Sequence, residues 1–79
     1  MSSSAADPAY RAVAVTPSDL TVVEARALYV GGAGNVAVKC QINDTAVTFV
    51  GVAAGTILPV AAYNVMSTNT TATNIVALY

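Results

Sequence analysis

Histidine and tryptophan are absent from this 79-residue sequence, cysteine occurs once, and charged side chains make up only 9% of it. Without histidine there is no side chain that ordinarily exchanges a proton near neutral pH. Cys40 alone cannot close an intrachain disulfide, and with no histidine or second cysteine beside it a structural zinc site is excluded. An ordinary soluble domain carries roughly 25% charged residues. Here Arg11, Arg26 and Lys39 stand against Asp7, Asp19, Glu24 and Asp44, a net charge of −1, which offers no basic footprint for nucleic acid or anionic lipid. From Thr45 to Tyr79 no side chain is charged at all. A free monomer so poor in charge would be poorly soluble, so part of its surface is expected to be covered by other subunits. Size points the same way. A chain this short removes only about 60% of its unfolded surface from water, and with neither disulfide nor metal to staple it, a partner is the expected source of further burial.

What is plentiful is apolar residues, 56% of the chain. Val47 to Val65, "VTFVGVAAGTILPVAAYNV", has the length of a membrane-spanning helix. Gly51, Gly55 and Pro59 interrupt it, β-branched residues dominate it and no Lys or Arg flanks it, so no membrane insertion is expected. The start, "MSSSAADPAYR", lacks the basic and apolar sequence of a secretory signal. The expected compartment is the cytoplasm, or a particle assembled there.

Patterning along the chain is that of strands. Residues 1–16 read as an extended N-terminal arm, its first residues polar enough for a disordered tail, and residues 17–79 as a single small β domain. Thr16-Pro17-Ser18-Asp19 is a turn signal. Thr21-Val22-Val23-Glu24 has the spelling of a capping box, but a β-branched pair is poor helix material, and a loop leading into a strand at Ala27 is the better reading. Gly31 to Asn35 reads as a turn. Beyond it Val36, Val38, Cys40 and Ile42 alternate with Ala37, Lys39 and Gln41, as in a half-buried antiparallel strand, and Asn43-Asp44 suits a two-residue hairpin. Thr45 to Val52 is the return strand, with Val47 and Phe49 on one face and a bulge or close approach at Gly51. After a corner at Ala53 to Gly55, Thr56 to Val65 reads as a strand whose Pro59 demands an edge or bulge. Ser67 to Thr71 is a polar connection and Thr73 to Tyr79 a last strand. Five or six short strands with turns about every ten residues define the expected fold: all-β, a small antiparallel sandwich or barrel, jelly-roll-like, with an extended arm.

Candidates for chemistry are few. Gly31-Gly32-Ala33-Gly34 is followed by a strand and not by the helix that a phosphate loop feeds. Cys40 shares the face of Val36 and Val38 and reads as a small core residue. Asp19 and Asp44 sit at turns, where capping is their ordinary role, Asp7 lies in the arm, and Glu24 is placed to pair with Arg26 within or between subunits. Asn43-Asp44-Thr45 and Asn69-Thr70-Thr71 spell glycosylation sites, yet without an export signal both are turn residues. No enzyme activity, cofactor or metal is expected. Tyr10, Tyr29, Tyr63 and Tyr79 supply rings suited to half-buried contacts. They support an alternative, a small glycan-binding module that touches a cell surface, though neither Trp nor many side-chain amides accompany them.

"RALYVGGAGNVAVKC", continued by "TFVGVAAGTILPVAAYNV" and "TTATNIVALY", resembles the spike-base proteins of tailed phages and of phage-like gene transfer agents. The resemblance covers Arg26 to Tyr79 and leaves out residues 1–16. It implies a structural protein on the capsid surface, seated on the major capsid protein at five-fold vertices and carrying a spike fibre. A pentameric ring, a homo-oligomer, follows from such a seat. The interface residues expected from the sequence are Tyr10 and Arg11, types that dominate interface hot spots, together with Ala12, Val13, Ala14 and Val15 as a strand added to an open sheet edge. Tyr79, closing the last strand, is expected in the sheet or at a subunit contact. The "ALY" of Ala27 to Tyr29 and of Ala77 to Tyr79 suggests that these two strands are neighbours.

Overall fold

Period-two patterning with Gly, Pro and Asn punctuation yields strands throughout the described part of the chain. The computed structural model describes residues 9–79; residues 1–8, the polar start of the expected arm, lie outside the described residues. Strands β1 (Ala12–Ala14), β2 (Ala27–Gly32), β3 (Gly34–Lys39), β4 (Val47–Val52), β5 (Thr56–Leu58), β6 (Asn64–Val65) and β7 (Thr73–Leu78) form two antiparallel sheets. One has the order β1-β7-β2-β5, the other β4-β3-β6, and the expected all-β sandwich is what the chain adopts. The two "ALY" strands are partners: Ala27 faces Leu78 and Leu28 faces Ala77.

The core lies between the sheets. Leu28, Val30, Ile75 and Ala77 enter it from the first, Val36, Val38, Val52 and Val65 from the second, and Ala25, Ala62 and Ala72 fill the margins. These side chains are small, so neighbouring backbones come close. The tightest place is where the chain leaves β2 for β3 through the single residue Ala33. A Cβ on Gly34 would lie 2.6 Å from the Ala72 amide nitrogen, and one on Gly32 would collide with Thr73 Oγ1. At Gly34 it is the backbone of the β6–β7 connection that requires glycine, and at Gly32 the first residue of β7 crowds the site.

Several expectations about local structure are corrected. Gly31 to Asn35 is no turn, since Gly31 and Gly32 end β2 and Gly34 and Asn35 begin β3. The strand expected to reach Ile42 stops at Lys39, and a turn closed by the Asp44 amide on the Gln41 carbonyl (3.1 Å) takes Ile42 and Asn43 as its centre. Cys40 is therefore exposed, outside the strand and outside the core. Neither Asn43 nor Asp44 takes a positive φ; the loop between β3 and β4 is longer than a two-residue hairpin and does not need one. Thr56 to Val65 is two strands instead of one, because Pro59 ends β5 and the chain crosses to the other sheet before β6. No helix forms at Thr21 to Glu24, and Val47 to Val65 folds as β4, β5 and β6; among the described residues no helix is long and apolar enough to cross a membrane. The bulge expected at Gly51 is present: from Gly34 to Val36 the partner moves three residues, from Val52 to Phe49, and Gly51 has φ +70°.

Candidate interaction surface

β1 adds a strand to a sheet edge, as its sequence suggested, but the edge is that of β7 in the same chain. Ala12 faces Leu78, Val13 faces Ala77 and Ala14 faces Val76. Backbone bonds continue the ladder at both ends: Tyr10 N–H donates to the Tyr79 carbonyl (2.9 Å), Tyr79 N–H to the Arg11 carbonyl (2.8 Å) and Val15 N–H to the Ile75 carbonyl (2.9 Å). Tyr79 packs against the core, donates its hydroxyl to the Val23 carbonyl at 2.6 Å, and carries the Arg11 guanidinium 5.2 Å above its ring. Of the residues singled out from the sequence, Tyr10, Arg11, Ala12 and Ala14 are exposed, while Val13, Val15 and Tyr79 are half-buried.

After β1 the chain crosses to the other sheet and lines the outer side of β6. Ser18 N–H donates to the Val65 carbonyl (2.8 Å), Val23 N–H to the Tyr63 carbonyl (2.7 Å), and the buried Asn64 gives its side-chain amide to the Thr21 carbonyl (2.6 Å). Ser18 Oγ caps its own turn, accepting from the Leu20 and Thr21 amides. Asp19 caps a distant one. Its Oδ1 accepts from Ser67 N–H (2.8 Å) and Thr68 N–H (3.1 Å), and its Oδ2 from the Thr68 hydroxyl (2.7 Å). The Thr68 hydroxyl is the largest cause, and its amide the next, of an Asp19 carboxyl held below its ordinary value. This clamp fixes the segment so that Leu20, 90% exposed, and Val22 project from the surface. Beside them Val13, Val15, Thr21, Val23 and Tyr79 line an apolar cleft of about 150 Å³.

On the opposite flank lie β4 and β5, joined by the corner at Ala53 to Gly55. Neither strand contains a charged residue, and Val47, Val50 and Ile57 are exposed. β3 is held from this side and from the other by side chains that the sequence marked only as turn residues. Asn35 Oδ1 accepts the Gly51 amide of the bulge (3.0 Å), while Thr71 Oγ1 and Thr70 Oγ1 accept the Asn35 and Ala37 amides (2.9 Å each). Of the Asn-Thr-Thr run only Asn69 lies in the turn, at φ +70°, while the hydroxyls of Thr70 and Thr71, beyond it, stand in for a missing ladder partner.

Glu24, exposed and at φ +52°, shares a shallow depression with Cys40 and Tyr63. Among the described residues no group of three or more Cys, Asp or Glu converges. What the molecule presents is exposed apolar relief on a small all-β sandwich.

Comparison with solved structures agrees. The chain is similar to a chain in the capsid of a native gene transfer agent (GTA) particle, computed with C5 symmetry, with 38% identity and a TM-score of 0.79 over 91% of this chain and 84% of that one. It belongs to the same family, that of the GTA-type, phage-like capsid proteins. No protein-family model and no curated protein matches it.

Proposed function

We propose that this chain is a structural subunit at the base of a capsid head spike, attaching a fibre to the five-fold vertex of a gene-transfer particle as a pentameric ring. The observation that carries this reading is the 38% identity, over 91% of the chain, to a capsid chain of a particle computed with C5 symmetry. The residues support it. A charge-poor sandwich in which, among the described residues, no three Cys, Asp or Glu converge suits binding better than catalysis, and its large exposed apolar groups suit subunit contact. Assembly takes place in the bacterial cytoplasm, and the ring sits on the major capsid protein with the fibre above it. The glycan-binding alternative is less well served, since Tyr79 has its ring and hydroxyl engaged inside the fold.

Tyr10 and Arg11 remain the proposed anchors of the N-terminal end, with Ala12 to Val15 and Tyr79 as the platform that presents them. Because β1 belongs to its own sheet, the informative truncation removes residues 1–8 and spares it. Particles made without the protein should retain an intact capsid and lose both vertex density and fibre in cryo-EM reconstructions. Fibres present at normal occupancy on such particles would refute the role.

A further inference from the structure

Residues 9–24 cross the molecule without entering its core. Every buried residue among those described lies between Ala25 and Ala77; residues 9–24 are all exposed or half-buried, and of them only Val15 and Val23 pack against the core. The entropy lost in ordering such a segment is therefore offset mainly by hydrogen bonds. They fall into two groups. β1 and Val15 hold the outer side of β7, through the ladder and the bond from Val15 N–H to the Ile75 carbonyl (2.9 Å). Residues 18–24 hold the outer side of β6, through the Val65 and Tyr63 carbonyls and the Asn64 side-chain amide, and reach the β6–β7 turn through Asp19. Between the two groups lies the apolar cleft of about 150 Å³, so side-chain packing does little to join them.

Tyr79 joins them instead. Its N–H donates to the Arg11 carbonyl and its carbonyl accepts the Tyr10 N–H in the first half, while its hydroxyl donates to the Val23 carbonyl in the second. We infer that residues 9–24 are a strap that opens and closes as one unit across the edges of both sheets, with Tyr79 as the latch that couples its halves. A segment with few buried apolar contacts lies at the low end of local stability, and opening this one leaves every buried residue in place. Closed, the strap caps β7, a strand of six uncharged residues. Open, it bares that edge to strand pairing.

Hydrogen exchange of the full chain, followed by NMR, tests this. In the wild type the Val15, Ser18 and Val23 amides should share one protection factor, lower than that of the Tyr63 and Met66 amides, which bond to the β3 carbonyls of Lys39 and Ala37. Their exchange should also be insensitive to low urea, because a local opening exposes little surface. Tyr79→Phe removes one hydrogen bond and should lower protection about five-fold, at Val23 and equally at Val15, whose amide bonds neither residue. Asp19→Ala, at an exposed position, loosens the other half and should likewise reach Val15; it replaces Tyr79→Phe if circular dichroism shows that variant to be misfolded. Protection at Val15, Ser18 and Val23 equal to that at Tyr63 and Met66 would mean that the strap leaves only when the whole molecule unfolds, and overturns the inference. A response confined to Ser18 and Val23 would mean two independent halves, and overturns both the single unit and the latch.

Discussion

At the scale of single residues, the fold is governed by how little room its backbone crossings leave. Gly34 and Gly51 are both glycines in strands, yet they are needed for different reasons. A methyl group on Gly34 would press on the Ala72 backbone, which no rotamer change can relieve, whereas one on Gly51 meets nothing within 4 Å and faces only a φ of +70°. Gly34→Ala should therefore destabilise by about 1–3 kcal/mol, the usual range for overpacking. Gly51→Ala should cost about 1 kcal/mol, the penalty of a left-handed conformation for an L-residue. Urea unfolding of the two variants checks the order; equal losses would mean that the β2–β3 corner yields more easily than its contacts imply. Gly51 was legible in the sequence because a glycine inside an alternating run has few other meanings. Cys40 was not. Its alternation with Val36 and Val38 continues past the point where β3 ends, and nothing in an apolar period marks where the partner strand stops. Thr70 and Thr71 were hidden for a related reason: a hydroxyl that replaces a ladder bond 33 or 36 residues away leaves no local signal.

Elements are held in place by polar clamps, and the Asp19 cap is a clamp that acid can titrate. The sequence marked Asp19 as a capping residue, but its partners lie in the β6–β7 turn and not in its own. Its carboxyl titrates at its ordinary value in the unfolded chain and below that value in the folded one. The proton-linked stability it supplies is thus complete above the ordinary aspartate range and lost as pH falls through the lowered, folded value. Asp19→Asn cannot titrate, so the gap in melting temperature between it and the wild type should be constant at neutral pH and narrow on strong acidification. A gap that widens in acid would contradict the assignment. Strand placement was legible where alternation and punctuation coincide: β2, β4 and β7 begin within two residues of their expected starts. The pairing of β2 with β7 was anticipated from a shared "ALY" and is borne out by register. β1 was read as an arm because three small apolar residues between prolines look the same whether the edge they join belongs to their own chain or to another.

For the molecule as a whole, scarcity of charge is the property that most constrains behaviour. It left the all-β class legible, since patterning survives without charge, and it directed attention to assembly, but it could not say which surfaces assemble. That depends on the two-layer order of the strands, which places β4 and β5 on one flank and β1 with the Ser18–Val23 segment on the other. The same scarcity sets the salt response of the proposed ring. With charged side chains only 9% of the chain and none beyond Asp44, screening has little attraction to remove, and apolar burial does not weaken when simple salt is added. Association measured by sedimentation equilibrium should change little between about 50 mM and 1 M sodium chloride, where the Debye length falls to about 3 Å. Stabilising sulfate should strengthen it, because ions excluded from protein surfaces favour burial. Dissociation at high salt would instead require ion pairs across the contact. Arg11, Arg26 or Lys39, the three basic residues of the chain, would then carry it.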